Sequence, residues 1–229
     1  MWDPSKVPDK SEGQPDRITF YLERDRDKNP RWAIAQFQKE KKYWEVRKEK
    51  DQTLYVDDRG KYFVKARDGV FVPQKIERNI NAKDLKRGPE PKGPGLKPKK
   101  EKGAVPDLRM HVGGAESPFI STTKMKASEI TNSDRTQKLG GQYGRVTIDL
   151  LKISPKNIFD MSDKKTQDNY RLSNPRGEKM EQALQDAVRT QEVLVWGDIP
   201  GNAIVKFVSA DGRRVVELTE DGKLVVTTS

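Results

Sequence analysis

Apolar residues along this chain fall mostly in short runs separated by charged or glycine-bearing turns, a spacing that predicts strands more often than long helices. Between residues 17 and 73 these runs are Ile18-Thr19-Phe20-Tyr21-Leu22, Tyr43-Trp44-Glu45-Val46, Leu54-Tyr55-Val56, Tyr62-Phe63-Val64 and Val70-Phe71-Val72. Asp57-Asp58-Arg59-Gly60 and Arg67-Asp68-Gly69 supply turns between them. Residues 31–42, with Trp32, Ala33, Ala35 and Phe37 among Lys and Gln, read as more helical. The pattern predicts a small accessory subdomain or strand meander.

Further along, Pro118-Phe119-Ile120-Ser121-Thr122-Thr123 is a short apolar run ended by three hydroxyls, read as a strand end. Residues 124–135 read as helix or turn. Val146-Thr147-Ile148-Asp149-Leu150 alternates as a half-buried strand does. Residues 178–189 predict a helix with Met180, Ala183, Leu184, Ala187 and Val188 on its inner face. Glu192-Val193-Leu194-Val195-Trp196 predicts a strand closed by Gly197, and Ala203-Ile204-Val205-Lys206-Phe207-Val208 another after Pro200-Gly201. Two final runs, Val215-Val216-Glu217-Leu218 and Leu224-Val225-Val226, flank Glu220-Asp221-Gly222-Lys223 as a hairpin.

Composition adjusts this picture. Only 33% of the 229 residues are hydrophobic and 35% are charged, with a mean hydropathy of -0.93, so the core is lean. Residues 1–16 are polar and proline-rich and read as a disordered leader. Residues 83–102 hold eight Lys or Arg against three acids, with four Pro and three Gly. That predicts no regular helix and no central strand, but a solvated loop or a basic arm touching nucleic acid or a protein partner. Lys and Arg total 45 against 35 acids, a net charge of +10 that attracts nucleic acid, anionic membranes, phosphorylated ligands and acidic proteins alike. There are no cysteines, which excludes disulfides, thiol catalysis and Cys-based zinc sites. No run reaches the ~18 apolar residues of a membrane-spanning helix. Met1-Trp2-Asp3-Pro4-Ser5 has no apolar signal-peptide core, so export implies a specialised route or a larger polypeptide. His111 is the single histidine, which excludes a histidine-rich metal site, leaves a Ser-His-Asp triad resting on one residue, and suits a packing or capping role before a catalytic one.

Four segments taken in order carry a resemblance: Pro118 to Thr123, Arg145-Val146-Thr147-Ile148-Asp149-Leu150, Ile158-Phe159-Asp160, and Gln191-Glu192-Val193-Leu194-Val195-Trp196-Gly197-Asp198-Ile199-Pro200. Together they resemble the arginine–serine–glutamate class of bacterial mono-ADP-ribosyltransferase toxin domains, of the polymorphic and insecticidal type, over roughly residues 70–208. The resemblance implies an α+β fold of two packed, mainly antiparallel sheets forming an NAD cleft, with few helices. It divides the chain into residues 1–69, a disordered leader with an accessory strand and helix segment, and residues 70–229, the catalytic domain.

What the resemblance implies for the chemistry is specific. NAD is the substrate, and its nicotinamide–ribose bond breaks through an oxocarbenium-like transition state. Glu192 is the carboxylate facing that developing charge, as in glycosidases. Ser121 orients Glu192 through a hydroxyl that both donates and accepts. Thr122 and Thr123 belong to the same NAD-binding motif, with His111 at its edge. An arginine grips the NAD phosphates. Arg78, in the strand-then-helix opening Val70 to Leu85, is favoured over Arg109, and the choice stays open. Thr190 and Gln191 form the substrate-selecting loop. Because Thr190 stands where arginine-modifying members carry a Glu, the acceptor is another residue or a nucleic-acid base. The enzyme is then an NAD-dependent glycosyltransferase, secreted or injected and acting in the target-cell cytosol. Its partners are a target-cell macromolecule, protein before nucleic acid, and a delivery or immunity protein. Two other functions remain in view: a basic nucleic-acid-binding module, and a catalytically dead interaction domain on the same fold.

Overall fold

A computed structural model describes residues 43–103, 106–108, 111, 116–126, 143–172 and 178–229. The leader, the run at residues 18–22, the helix expected at residues 31–42, Arg109 and most of residues 124–135 lie outside the described residues.

The first sheet is a meander of four strands in chain order: β1 (Tyr43–Glu49), β2 (Gln52–Asp57), β3 (Tyr62–Lys65) and β4 (Phe71–Pro73). Its turns are the two predicted from Asp57 to Gly60 and from Arg67 to Gly69, closed by Gly60 N–H donating to Asp57 O and Gly69 N–H to Ala66 O. One face carries aromatic rings: Tyr43 stacks on Phe71 at 3.8 Å between centroids, and Tyr55 meets Phe71 edge-on at 4.9 Å. The other face sends Leu54, Val64 and Val72 into the core.

Eight strands form the second sheet: β5 (Lys75–Asn79), β6 (Phe119–Thr123), β7 (Arg145–Asp149), β8 (Ile158–Asp160), β9 (Glu192–Trp196), β10 (Ile204–Val208), β11 (Arg214–Leu218) and β12 (Leu224–Thr228). Their order across the sheet is β12-β11-β10-β7-β5-β6-β9-β8, and every pairing is antiparallel. Three helices accompany them among the described residues: α1 (Ala82–Arg87), α2 (Lys164–Leu172) and α3 (Glu178–Arg189). The architecture is α+β, with two antiparallel sheets and few helices.

One apolar cluster joins the two sheets, with Leu54, Val64 and Val72 of the first packed among Ile76, Val146, Ile148, Val193, Val195 and Ile204 of the second. Backbone bonds tie the layers: Leu150 N–H donates to Gln74 O at 2.8 Å and Arg67 N–H to Ile158 O at 2.8 Å. Buried Gln52 adds a side-chain link, its Nε2 donating to Lys65 O and Ile153 O. The division expected at residue 69/70 therefore falls inside the first sheet, between β3 and β4. On the opposite face of the second sheet a smaller cluster packs α3, through Leu184 and Ala187, against Phe119, Phe159, Leu194 and Trp196.

Three expectations need correction. Residues 83–102 do hold a regular helix, because α1 ends before the first glycine. Asn81 caps its start, the Asp84 side chain returns to the Asn81 N–H, and left-handed Gly88 closes its end. The rest of that segment is a solvated loop only in part, with Lys97 and residues 99–102 exposed. Pro89, Pro91, Gly95 and Leu96 are buried, and Leu96 pairs with Ile199 through two backbone bonds of 2.8 and 2.9 Å. A Cβ on Gly95 would lie 2.2 Å from Ile199 O, and one on Gly201 1.8 Å from Gly93 O, so glycine alone permits this approach. Finally, Val188 is 50% exposed rather than on the inner face of α3. At 3.6 residues per turn it lies roughly 70° from the centre of the Leu184–Ala187 stripe, beyond a narrow seam.

Candidate active site

Adjacent strands β6 and β9 set the site by register. Thr123 faces Glu192, Ser121 faces Leu194 and Phe119 faces Trp196. Ser121 and Glu192 are thus diagonal neighbours on one face, a placement within reach of polar side chains. Ser121 Oγ donates to Glu192 Oε1 at 2.7 Å. His111 joins them: its Nε2 is 3.1 Å from Ser121 Oγ and 3.4 Å from Glu192 Oε1, and its Nδ1 is 3.0 Å from Ser117 Oγ. A carboxylate accepts only, so in a neutral ring the proton belongs on Nε2 and Ser117 donates to Nδ1. Glu192 and His111 side chains keep 22% and 21% of their exposure, so the cluster is open enough to meet a ligand. The imidazole also meets Phe119 edge-on at 6.0 Å. His111 therefore sits at the serine–glutamate pair itself, where the sequence left it between packing and ligand-edge roles.

Only Glu192 Oε1 is engaged. Among the described residues Oε2 has no hydrogen-bond donor and is available to a ligand hydroxyl.

Arg78 sits in a different relation to the pair. Strand β5 makes five ladder pairs with β7 but one with β6, Glu77 with Thr123. Beyond that single pair the Ser121 carbonyl accepts from Arg78 Nη1 at 2.7 Å, a side chain standing in for the missing ladder bond. Arg78 Nη2 donates to Asp84 Oδ2 at 2.9 Å, with the two side chains 17% and 3% exposed. The strands of Arg78 and Ser121 are neighbours in one sheet. Asp84 was not singled out from the sequence. Its signal was present in the capping-box spacing Asn81-Ala82-Lys83-Asp84, which gives a helix start but not the ion pair.

The hydroxyls of the motif's two threonines bond backbone groups rather than the carboxylate. Thr122, on the alternate face, is 5% exposed and donates to Val193 O at 2.6 Å. Thr123 Oγ1 donates to Thr190 O at 2.7 Å and accepts from Met125 N–H at 3.0 Å. With Lys124 N–H donating to Gln191 O at 3.1 Å, it clasps the turn entering β9, where Gln191 has a left-handed φ of 49°. The structure thus groups Ser121, Glu192 and His111, links Arg78 to them through the Ser121 backbone, and puts Thr190 and Gln191 beside the carboxylate. Trp196, 6% exposed, packs in the smaller apolar cluster. Among the described residues no group of acidic or histidine side chains is arranged to hold a metal ion, and no helix is long and apolar enough to cross a membrane.

A protein-family model described as a domain of unknown function, DUF7587, matches residues 106–212, a span holding His111, Ser121 and Glu192 but not Arg78. No curated protein matches the chain. A solved structure, EcPltA, an ADP-ribosyltransferase toxin subunit, aligns with 68% of this chain and 85% of its own at 13% identity and a TM-score of 0.37.

Proposed function

We propose that the protein is a mono-ADP-ribosyltransferase of toxin type, which breaks the nicotinamide–ribose bond of NAD and passes ADP-ribose to a macromolecule of a target cell. The observation that carries this reading is the 2.7 Å hydrogen bond from Ser121 Oγ to Glu192 Oε1. It stands beside the motif resemblance over roughly residues 70–208.

The chemistry follows from what these groups do. As the nicotinamide leaves with the bonding electrons and becomes neutral, the positive charge of its pyridinium ring passes to the ribose, and a carboxylate fixed beside that sugar stabilises the charge more there than on the pyridinium of the ground state. Glu192 is fixed because its Oε1 is held by Ser121 and His111, while Oε2 is open to a ribose hydroxyl. Ser117 behind the ring and Phe119 against it hold the imidazole in place. Arg78, neutralised by Asp84 and spent partly on the Ser121 carbonyl, acts first as a strut for β6 in this reading. An NAD phosphate would meet only its remaining donors. The turn at Thr190 and Gln191, which supplies no carboxylate, would face the acceptor, so a residue other than arginine or a nucleic-acid base is the proposed target.

Nicotinamide release from NAD, with and without target-cell lysate, tests the proposal. Glu192→Gln keeps the shape and loses the charge, and it is expected to lower the rate by about 10²-fold or more with the thermal midpoint unchanged. Cleavage that survives the substitution, or a wild-type chain that neither binds nor cleaves NAD, rejects the assignment.

A further inference from the structure

Away from the serine–glutamate pair, two cationic side chains from separate segments converge on one turn that carries a third. The turn is a short helical piece, Pro155–Asn157, leading into β8. Arg67, from the β3–β4 turn, donates from Nη1 to Lys156 O at 3.2 Å. Lys102 arrives from the long loop after α1 and donates from Nζ to Asn157 Oδ1 at 2.9 Å. Lys156 is the middle of the turn itself. Lys102 lies over the Trp196 ring at 4.1 Å from its centroid, with its stem against Gly197, and the Arg67 guanidinium lies 5.6 Å from the Phe159 ring centroid.

These charges are uncompensated. Among the described residues no carboxylate forms a salt bridge with Arg67, Lys102 or Lys156, although the chain pairs Lys124 with Asp160, Lys206 with Glu217 and Arg214 with Glu90 elsewhere. Burial holds the Lys102 ammonium below its ordinary pKa, and the fields of Lys156 and Arg67 push it the same way. Each cation also keeps donors in hand. Arg67 has used one of five and Lys102 one of three, and all three side chains are exposed. Like charges gathered on a folded scaffold repel until an anion joins them.

We infer that Arg67, Lys102 and Lys156 form a second binding site, one that takes the phosphoryl group of a small nucleotide or of free pyrophosphate. Its footprint argues for a small ligand. The cations gather on a single turn, whereas a nucleic-acid backbone needs a track of them. The rings beneath are 4% and 6% exposed for Phe159 and Trp196, so they offer no open face on which successive bases could stack. The site occupies the same sheet face as Glu192, four residues along β9 or roughly 13 Å away at strand rise. It does not depend on NAD cleavage.

Calorimetry on the full chain with inorganic pyrophosphate, ADP and adenosine at low ionic strength tests the inference. Pyrophosphate and ADP are expected to bind saturably, more weakly as salt rises, and adenosine not at all. Tighter binding of ADP assigns a nucleotide; equal affinity assigns the free anion. The triple substitution Arg67→Gln, Lys102→Gln, Lys156→Gln should weaken both by about tenfold or more, since charge-assisted bonds are lost. Lys61→Gln, Lys83→Gln, Lys97→Gln, with the same change in net charge, should leave them within about twofold. If the triple variant misfolds, Lys102→Met alone keeps the apolar stem over Trp196 and still weakens binding. Absence of saturable binding, or an equal loss in the control, overturns the site. So does a single-stranded oligonucleotide that binds through these residues and is not displaced by saturating pyrophosphate.

Discussion

Strands β9 and β12 are both five residues long and belong to the same sheet, yet they treat their side chains in opposite ways. In β9 four of five residues are buried, and the one that is not, Glu192, is held by Ser121 and His111. In β12 all five are exposed, with Leu224, Val225 and Val226 46%, 47% and 56% open. The difference is support from both sides. β9 has β6 and β8 beside it and α3 across its face, while β12 has β11 alone. A carboxylate can therefore be kept at one orientation at the head of β9, whereas nothing at β12 fixes a side chain. Substitutions around β9 should separate activity from stability, and those at β12 should move neither.

The largest effect is expected at the strut behind β6. Asp84→Ala leaves the half-buried Arg78 without its carboxylate and strips the α1 capping box, which together should cost about 3–5 kcal/mol in chemical denaturation. Next comes Glu192→Gln, where a loss of roughly 10²–10³-fold in nicotinamide release corresponds to about 2.7–4 kcal/mol of transition-state stabilisation, at unchanged stability. Thr123→Val removes the hydroxyl that bonds Thr190 O and Met125 N–H. It should cost about 1–2 kcal/mol and speed amide exchange at residues 190–192. Smallest is Val226→Thr on β12, expected within about 0.5 kcal/mol of the parent. A larger change there would show that β12 is supported after all.

Strands could be read from the chain because alternation and turn chemistry act locally: the two meander turns and the terminal hairpin lie where their Asp and Gly residues set them. The pairing of Ser121 with Glu192 was legible only through the motif resemblance, since 71 residues separate them and no local rule brings them together. Composition averaged over residues 83–102 masked helix α1, whose last five residues open that segment, whereas the strand-then-helix opening of the resemblance pointed to it. Helix α2 has no apolar stripe to announce it. It is tied down by buried Gln167, whose Nε2 donates to Met161 O at 2.7 Å and to Leu184 O at 3.1 Å. Asp84 and Lys102 read as ordinary surface charges in a chain so rich in them. Their placement depends on which strand or turn comes to lie opposite, and that is decided by the whole sheet.

The left-handed backbone at Gln191 has a bearing on how this protein can diversify. Because the carboxylate occupies the first residue of its strand, no spacer insulates it from the preceding turn. Inserting or deleting one residue there would rotate Glu192 off its partner and onto the other side of the pleat. On the proposed reading, a change of target preference must then come by exchanging side chains at a constant loop length, and at Gln191 the left-handed backbone narrows the exchange to residues such as Asn, Asp or Gly.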